Sequence, residues 1–379
     1  MHFAFTEEQE ELRETARAFL AECSSSERVR RAMASELGYE PDVWKRVGTE
    51  LGWPAVIVPE SCGGLDLGAV ELVALLEVMG ERLFCAPFFS TVCLAVNALC
   101  AAATEEQQRA WLPALAEGRE TATLAFCEAG GRWDVDAVTT RVRRDGEGYV
   151  LDGCKRYVLD GHSADWLLVA AREDGSTGDE GVSLLRVSGR AEGVTATALP
   201  TMDQTRRLAQ VELRGVQLGA DACVGRAGAA APALRQALDR AAIALAAEQV
   251  GGAQACLEAS VQYAKERVQF GRPIGSFQAI QHKCADMMVA VESARSAVYY
   301  AACVAAEETP ELSLAASLAK TTASEAFFRC AAESIQIHGG VGFTWEYDVH
   351  LYFKRARAGE HLLGTPDQHR ERVARELGF

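Results

Sequence analysis

The chain has 379 residues, 49% of them hydrophobic and 24% charged, a composition that supports buried cores for two or three domains and excludes a disordered or fibrous protein. A formal net charge of −15 repels polyanions and argues against nucleic acid or anionic membranes as partners, while leaving small anionic ligands open. The first twenty residues mix acids and arginines with apolar side chains and offer no stretch for a signal peptide or membrane span. Twelve cysteines stand singly, with no Cys-x-x-Cys pair and no Cys/His cluster at zinc spacing. That is the pattern of reduced thiols in a cytoplasmic protein without a metal site.

Residues 1–120 read as helices. Phe5, Leu12, Ala16 and Leu20 recur at helical spacing, and Thr6 followed by Gln9 carries the signature of a capping box. The turn-rich PESCGGLDLG is followed by two further amphipathic stretches, AVELVALLEVMGERL and EEQQRAWLPALAEG. From Thr121 to about Val224 the period changes to short runs rich in Val, Leu, Thr and Tyr: TATLAF, AVTTRVRR, YVL, CKRYVL, WLLVAAR, GVSLLRV, GVTATAL and AQVELRGVQL. These predict an antiparallel sheet or small barrel. Asp152-Gly153, between YVL and CKRYVL, predicts a hairpin turn because both residues tolerate positive φ.

After GRAGAAAPAL the chain returns to helix. Leu234, Leu238, Ala241 and Leu245 mark one face of a long helix running toward Tyr263, and three further helical stretches are broken by FGRPIGS, EETPEL and HGGVGFTWEYD. The expected fold is α+β and multidomain: an N-terminal helical domain at 1–120, a middle antiparallel β domain at 121–225 and a C-terminal helical bundle at 226–379.

Two C-terminal motifs are the most specific signals, YAKERVQFGRPIGSFQAIQHKCADM at 263–287 and ESIQIHGGVGFTWEYDVHLYFKRA at 333–356. With the N-terminal helices, LGWPAVIVPESCGGLDLG and the domain order, they resemble the acyl-CoA dehydrogenase family over nearly the whole chain. The resemblance implies FAD as cofactor. It assigns Arg267, Phe270 and Gln278 to the FAD pyrophosphate and adenosine, a role suited to the planar donor fork of arginine. Gln336, Gly339 and Gly340 match the family's Gln-x-x-Gly-Gly, where missing side chains let the backbone approach the dinucleotide. In the family both motifs reach across a subunit interface to the neighbour's FAD, which implies a homo- or hetero-oligomer.

The residues that hold a chain's own flavin depart from the family pattern. CEAGGRWDV stands in place of Thr-Glu-Pro-x-x-Gly-Ser-Asp, so that only Glu128 and Asp134 match and Trp133 replaces the serine. YVLDG at 157–161 stands in place of Trp-x-Thr-Asn-Gly. Tyr157 keeps an aromatic face for the isoalloxazine, whereas Leu159 has lost the hydroxyl that donates near flavin N5, worth about 1 kcal/mol as a hydrogen bond.

Dehydrogenation in the family needs a carboxylate to take the α-proton. Most members place a glutamate immediately before the Gly-Thr that is here Gly364-Thr365, and others place it at the position of Ala241; this chain has Leu363 and Ala241, leaving the catalytic base unknown. Glu360, about 4.5 Å from Leu363 along a helix axis, is the weak substitute, and Glu248 lies about 10 Å beyond Ala241, out of reach. Asp239 corresponds to the aspartate that contacts CoA, while Ala242 replaces the arginine usual nearby, with Arg240 close to it. His338 and His361 read as structural or surface residues, since nothing in the sequence pairs them with an orienting acid.

Three functions follow from the resemblance. The first is an FAD-dependent oxidation of acyl-CoA or another acyl thioester to its enoyl form, with this chain as the base-less subunit beside a second acyl-CoA dehydrogenase-like chain and electrons leaving through a flavoprotein acceptor. The second is an independently active homo-oligomer using Glu360 or a different flavin chemistry. The third is a non-catalytic scaffold or ligand-binding relative. Acyl chain length and carrier are not legible.

Overall fold

The computed structural model describes residues 6–307 and 309–379, so Phe5 of the expected first helix lies outside the described residues. The N-terminal part holds α1 (Glu7–Cys23), α2 (Ser26–Ala34), α3 (Pro41–Thr49), α4 (Ala69–Glu81), a π-helical stretch at Phe89–Val96, α5 (Asn97–Ala102) and α6 (Glu105–Ala116). Thr6 begins α1 through the reciprocal contact expected from the sequence: its hydroxyl accepts from the Gln9 amide, and the Gln9 carboxamide accepts from the Thr6 amide. Such a box satisfies two of the donors that a helix start leaves without partners.

Eight strands follow: β1 (Ala122–Ala125), β2 (Arg141–Asp145), β3 (Gly148–Leu159), β4 (Trp166–Glu173), β5 (Val182–Ser188), β6 (Val194–Ala198), β7 (Leu208–Leu218) and β8 (Cys223–Val224). They form one sheet in the order β6-β7-β3-β2-β4-β5-β8, with β1 also paired to β4. Most neighbours are antiparallel, but β1 and β2 each pair with β4 in parallel. Asp152-Gly153 does not form the expected hairpin turn. β3 runs through it without reversing, and the pairing with β7 shifts register between Leu151 and Gly153. A Cβ at Gly153 would collide with Thr140, and the Asp152 carboxylate accepts from the Gly215 amide at 2.8 Å. The pair therefore serves a strand irregularity with a close approach, the other use of glycine in a strand. The chain reverses one Asp-Gly earlier, at Asp145-Gly146, where Gly146 has φ 60°.

The remainder comprises α7 (Ala231–Glu266), a short hairpin of β9 (Val268–Gln269) and β10 (Arg272–Pro273), α8 (Gln278–Ala306), α9 (Leu312–His338), α10 (Val349–His361) and α11 (Pro366–Glu376). Leu234, Leu238, Ala241 and Leu245 are all buried, as their spacing predicts.

The chain divides into two compact units. One comprises Met1–Arg31, Ala69–Phe84 and Ala242–Phe379, and the other Ala32–Gly68 and Cys85–Ala241. In the first, α4 and α7 cross with backbones in contact: a Cβ on Gly251 would overlap the Glu77 carbonyl, and one on Gly80 would overlap that of Glu248. At this crossing the Glu77 carboxylate is buried between Arg13 (3.4 Å) and Arg295 (3.0 Å), which ties α1, α4 and α8 together. In the second unit, Leu151, Leu167, Val169, Leu185, Val187, Val211, Leu213 and Val216 build the apolar face of the sheet. β7 alternates buried and less buried positions, as a half-covered strand does.

Candidate cofactor and substrate site

Within the first unit, the end of α7 and the start of α8 are joined by the β9–β10 hairpin. Its two turn residues, Phe270 and Gly271, have φ 54° and 77°, the positive values that a type I′ turn requires at both positions. The turn leaves the Phe270 ring 90% exposed, supported edge-on by Phe277, on whose face Arg272 also stacks. Arg267 and Gln278 are exposed at the two ends of this connection. The first turn of α8 contains no acid, so the positive end of its dipole is uncompensated there.

The second motif closes α9. Gln336 is exposed on its last turn, and Gly339 stops the helix with φ 63° while its amide bonds back to the carbonyls of Ile335 and Gln336. A Cβ at Gly339 or Gly340 would meet nothing within 4 Å, so the packing of this chain does not itself demand the space above the two glycines. Between the two motifs, the rings of Tyr263 and His338 are stacked with centroids 4.3 Å apart, and Tyr347 meets the His338 ring edge-on.

The side chains of Arg267, Gln278 and Gln336 have no hydrogen-bonding or ionic partner among the described residues. In a chain with fifteen more acids than bases this is informative for an arginine. An unpaired guanidinium, two carboxamides, a helix N-terminus and an open glycine pair form a donor set that fits an anionic dinucleotide.

Leu363, at the position where a glutamate is usual, is 4% exposed and held at φ 61°, just beyond the end of α10. Its backbone is fixed from below. The buried His369 ring donates from Nε2 to the Leu363 carbonyl at 3.0 Å, and its Nδ1 lies within hydrogen-bond distance of Ser317 Oγ at 3.2 Å. Lys320, fully buried on α9, donates to Ser324 Oγ (2.8 Å) and the Gly359 carbonyl (3.1 Å). Burial pushes its ammonium down to about 7, against the opposing charge of Glu360.

The two glutamates considered as substitutes for the base, Glu360 and Glu248, are both engaged. Glu360 accepts from Arg357 at 2.5 Å one turn back, and Glu248 is buried against Arg355 at 2.5 Å. Lys320 left no signal in the sequence, because a lysine on a helical stretch reads as solvated until its neighbours are known.

The second unit carries Tyr157, Asp239 and the CEAGGRWDV loop. Tyr157 and Asp160 are both held at positive φ, 56° and 51°, and the Asp160 carboxylate accepts from Ser90 Oγ at 2.6 Å. Two non-glycine residues in that region within four positions mark a strained segment of the kind found where side chains are aimed for a purpose. The Tyr157 ring is 39% exposed, whereas Leu159 is buried and presents no donor. Trp133 lies parallel to Phe126 at 6.0 Å. Asp239 is buried on α7.

Glu128 is the anchor of the loop. Its carboxylate accepts from Lys155 Nζ at 2.7 Å and from the amides and hydroxyls of Thr139 and Thr140. Burial would raise its pKa, but Lys155 and these donors prevail and bring it to about 2. Lys155 carries one signal in the sequence: it falls on an inward position of a strand, where a lysine needs a buried acid.

Models of the acyl-CoA dehydrogenase N-terminal, middle and C-terminal domains match residues 6–119, 123–216 and 231–378. The chain belongs to the acyl-CoA dehydrogenase family, whose members are FAD-dependent oxidoreductases. Acyl-CoA dehydrogenase IpdE2 of Mycolicibacterium smegmatis is 36% identical over 372 residues, covering 98% of this chain and 99% of that protein. Butyryl-CoA dehydrogenase from Megasphaera elsdenii has the same fold with a TM-score of 0.92 at 26% identity, over 100% of both chains. A chain of the ChsE4-ChsE5 complex from Mycobacterium tuberculosis matches with a TM-score of 0.89 at 29% identity, over 100% of this chain and 99% of that one. No helix among the described residues is long and apolar enough to cross a membrane.

Proposed function

We propose that this chain is the base-less subunit of a heteromeric acyl-CoA dehydrogenase. Arg267, Phe270, Gln278, Gln336, Gly339 and Gly340 clamp an FAD held chiefly by a second acyl-CoA dehydrogenase-like chain, and that chain carries the base. When bound, FAD supplies the hydride-accepting chemistry that turns an acyl thioester into its enoyl form. Arg267 pairs with phosphate, the carboxamides orient it, and the glycines let the backbone approach. Tyr157 and Asp239 keep the positions of a flavin-facing aromatic and a CoA contact, and Leu159 leaves the flavin edge without a side-chain donor. The reading places the assembly in the cytoplasm, passing electrons to a flavoprotein acceptor.

The observation that carries this reading is an asymmetry. Arg267, Gln278 and Gln336 of the two C-terminal motifs stand exposed and without a hydrogen-bonding or ionic partner among the described residues, whereas Leu363 is apolar and buried and Glu248 and Glu360 are tied to arginines. Similarity to a chain of a two-component complex supports it. An independently active homo-oligomer has one observation in its favour: the Glu360–Arg357 pair is a partly exposed contact within one helix, worth only a few tenths of a kcal/mol, and could yield to a substrate.

Flavin stoichiometry decides between them. Purified with its partner, the heteromer holds one FAD per two different chains. One FAD per chain in the isolated protein, with turnover of an acyl thioester, overturns the proposal.

A further inference from the structure

The segment that in the family holds a chain's own flavin is closed upon itself in this protein. Glu128 stands at its start and accepts from the amides and hydroxyls of Thr139 and Thr140 at its end, so one carboxylate joins the two ends of residues 128–140. The entry is also tied to β3, because the Arg156 amide donates to the Cys127 carbonyl at 2.8 Å, one residue before Tyr157. On the exit side Val135 and Val138 are buried. Trp133 stands between these fixed ends, half-buried, with its ring parallel to that of the buried Phe126 within 6°. Swinging the loop away to displace the indole means breaking the Glu128 contacts.

The hydroxyls and the guanidinium of this segment are already engaged. Thr139 and Thr140 donate to Glu128, and Arg132 is paired with Asp134 at 3.0 Å. On the adjoining strand Lys155 donates to Glu128 and to the Phe126 carbonyl, and Leu159 has no donor to offer. A dinucleotide brings two phosphates that exchange water for protein donors, so a segment with these groups engaged and an indole in place of a serine does not fit it. Arg267, Gln278 and Gln336 are the reverse: they are exposed and have no hydrogen-bonding or ionic partner among the described residues. The chain thus carries one open FAD surface and one closed one.

We propose that Trp133 fills this chain's own flavin seat and keeps FAD out of it, so that the assembly carries flavin on one side only. The inference rests on the heteromer reading, and the seat is placed by the resemblance of residues 127–134 and 157–161 to the family's flavin-holding segments.

The test titrates FAD onto the deflavinated assembly of full-length chains and reads the flavin bound at saturation by absorbance. Wild type saturates at one FAD per two different chains. Trp133→Ser clears the seat and adds a second, weaker class of sites, which brings the total toward one FAD per chain. Adding Leu159→Thr returns a donor to the flavin edge and tightens that second class by about tenfold. Arg267→Ala in the same chain weakens the original class and leaves the added one, which places the new flavin in the cleared seat.

Saturation at the wild-type stoichiometry in both Trp133→Ser and Trp133→Ser/Leu159→Thr overturns the role of Trp133 and leaves the heteromer reading standing. An added class that Arg267→Ala abolishes lies on the other surface and also overturns it. One FAD per chain in the wild type overturns both readings. Should Trp133→Ser not fold, Trp133→Val keeps an apolar contact with Phe126 in a smaller volume and carries the same comparison, with the same outcomes.

Discussion

Lys155 and Glu128 form an ion pair at 2.7 Å in which the lysine has no exposed surface and the glutamate side chain is 12% exposed. The pair joins β3, two residues before Tyr157, to the start of the CEAGGRWDV loop, and the carboxylate also gathers Thr139 and Thr140. Both carboxylate oxygens of Glu128 are therefore engaged within the chain. The carboxylate holds the loop in place and is not available to take a proton from a substrate.

Removing the cation alone should be costly. Lys155→Met leaves Glu128 without its counter-charge in a buried setting, a change expected to lower stability by about 3–5 kcal/mol in urea or thermal unfolding. A loss under 1 kcal/mol would show that the pair contributes little beyond packing.

Acid should weaken the same anchor. Glu128 has a folded pKa of about 2 against an ordinary 4.5, so its contribution is complete above pH 4.5 and is lost as pH falls toward 2. Between those values the unfolded state binds the extra proton. Unfolding midpoints measured across pH 5 to 2 are expected to fall less steeply in Glu128→Gln than in the wild type, from a lower starting stability.

Lys320 predicts the opposite direction. Its folded pKa is about 7 against 10.5 in the unfolded chain, so from pH 7 to 10 the unfolded state holds more protons and stability rises with pH. Urea midpoints from pH 7 to 9.5 should increase in the wild type, after allowance for other groups. In Lys320→Met that increment disappears, and the Gly359 carbonyl loses its donor, at about 1–3 kcal/mol. Equal slopes in the two proteins would place the lysine in water.

The α4–α7 crossing has no room for a methyl group. Gly251→Ala would drive a Cβ into the Glu77 carbonyl, and separating the helices also disturbs the burial of the Glu77 carboxylate between its two arginines. The expected loss is about 3 kcal/mol, read as a drop in melting temperature. An alanine variant as stable as the wild type would mean that the helices can part without loss.

Arg267→Ala removes the arginine assigned to the FAD pyrophosphate, which has no hydrogen-bonding or ionic partner among the described residues. Folded stability should stay within about 0.5 kcal/mol, since the side chain is exposed and no hydrogen bond or ion pair to a described residue is lost. FAD retained through gel filtration should fall, with affinity weakened by about tenfold to a hundredfold, the range for a charge-assisted hydrogen bond. Unchanged retention would remove Arg267 from the site.

Much of the fold was legible because local rules wrote it. The Thr6–Gln9 box, the buried row on α7 and the β stretches depend on neighbours a few residues apart, so spacing and side-chain type suffice. The same locality misled at Asp152-Gly153. Two Asp-Gly pairs lie within ten residues, each able to turn, and the choice between them was made by Thr140 and Gly215 contacting the second from elsewhere in the chain.

By itself, the sequence determined the helical, β, helical order, the family through the motifs at 263–287 and 333–356, and the absence of a glutamate before Gly364. Those are properties of residue identity and short-range periodicity. Only the tertiary structure decided the states of the polar groups: that Lys155 and Lys320 are buried, that both oxygens of Glu128 are engaged, that Glu248 and Glu360 are paired, and that the buried His338 ring packs against two tyrosines. The physical reason is that a titratable group takes its charge and its partners from whatever surrounds it, and those surroundings come from chain segments up to a hundred or more residues away.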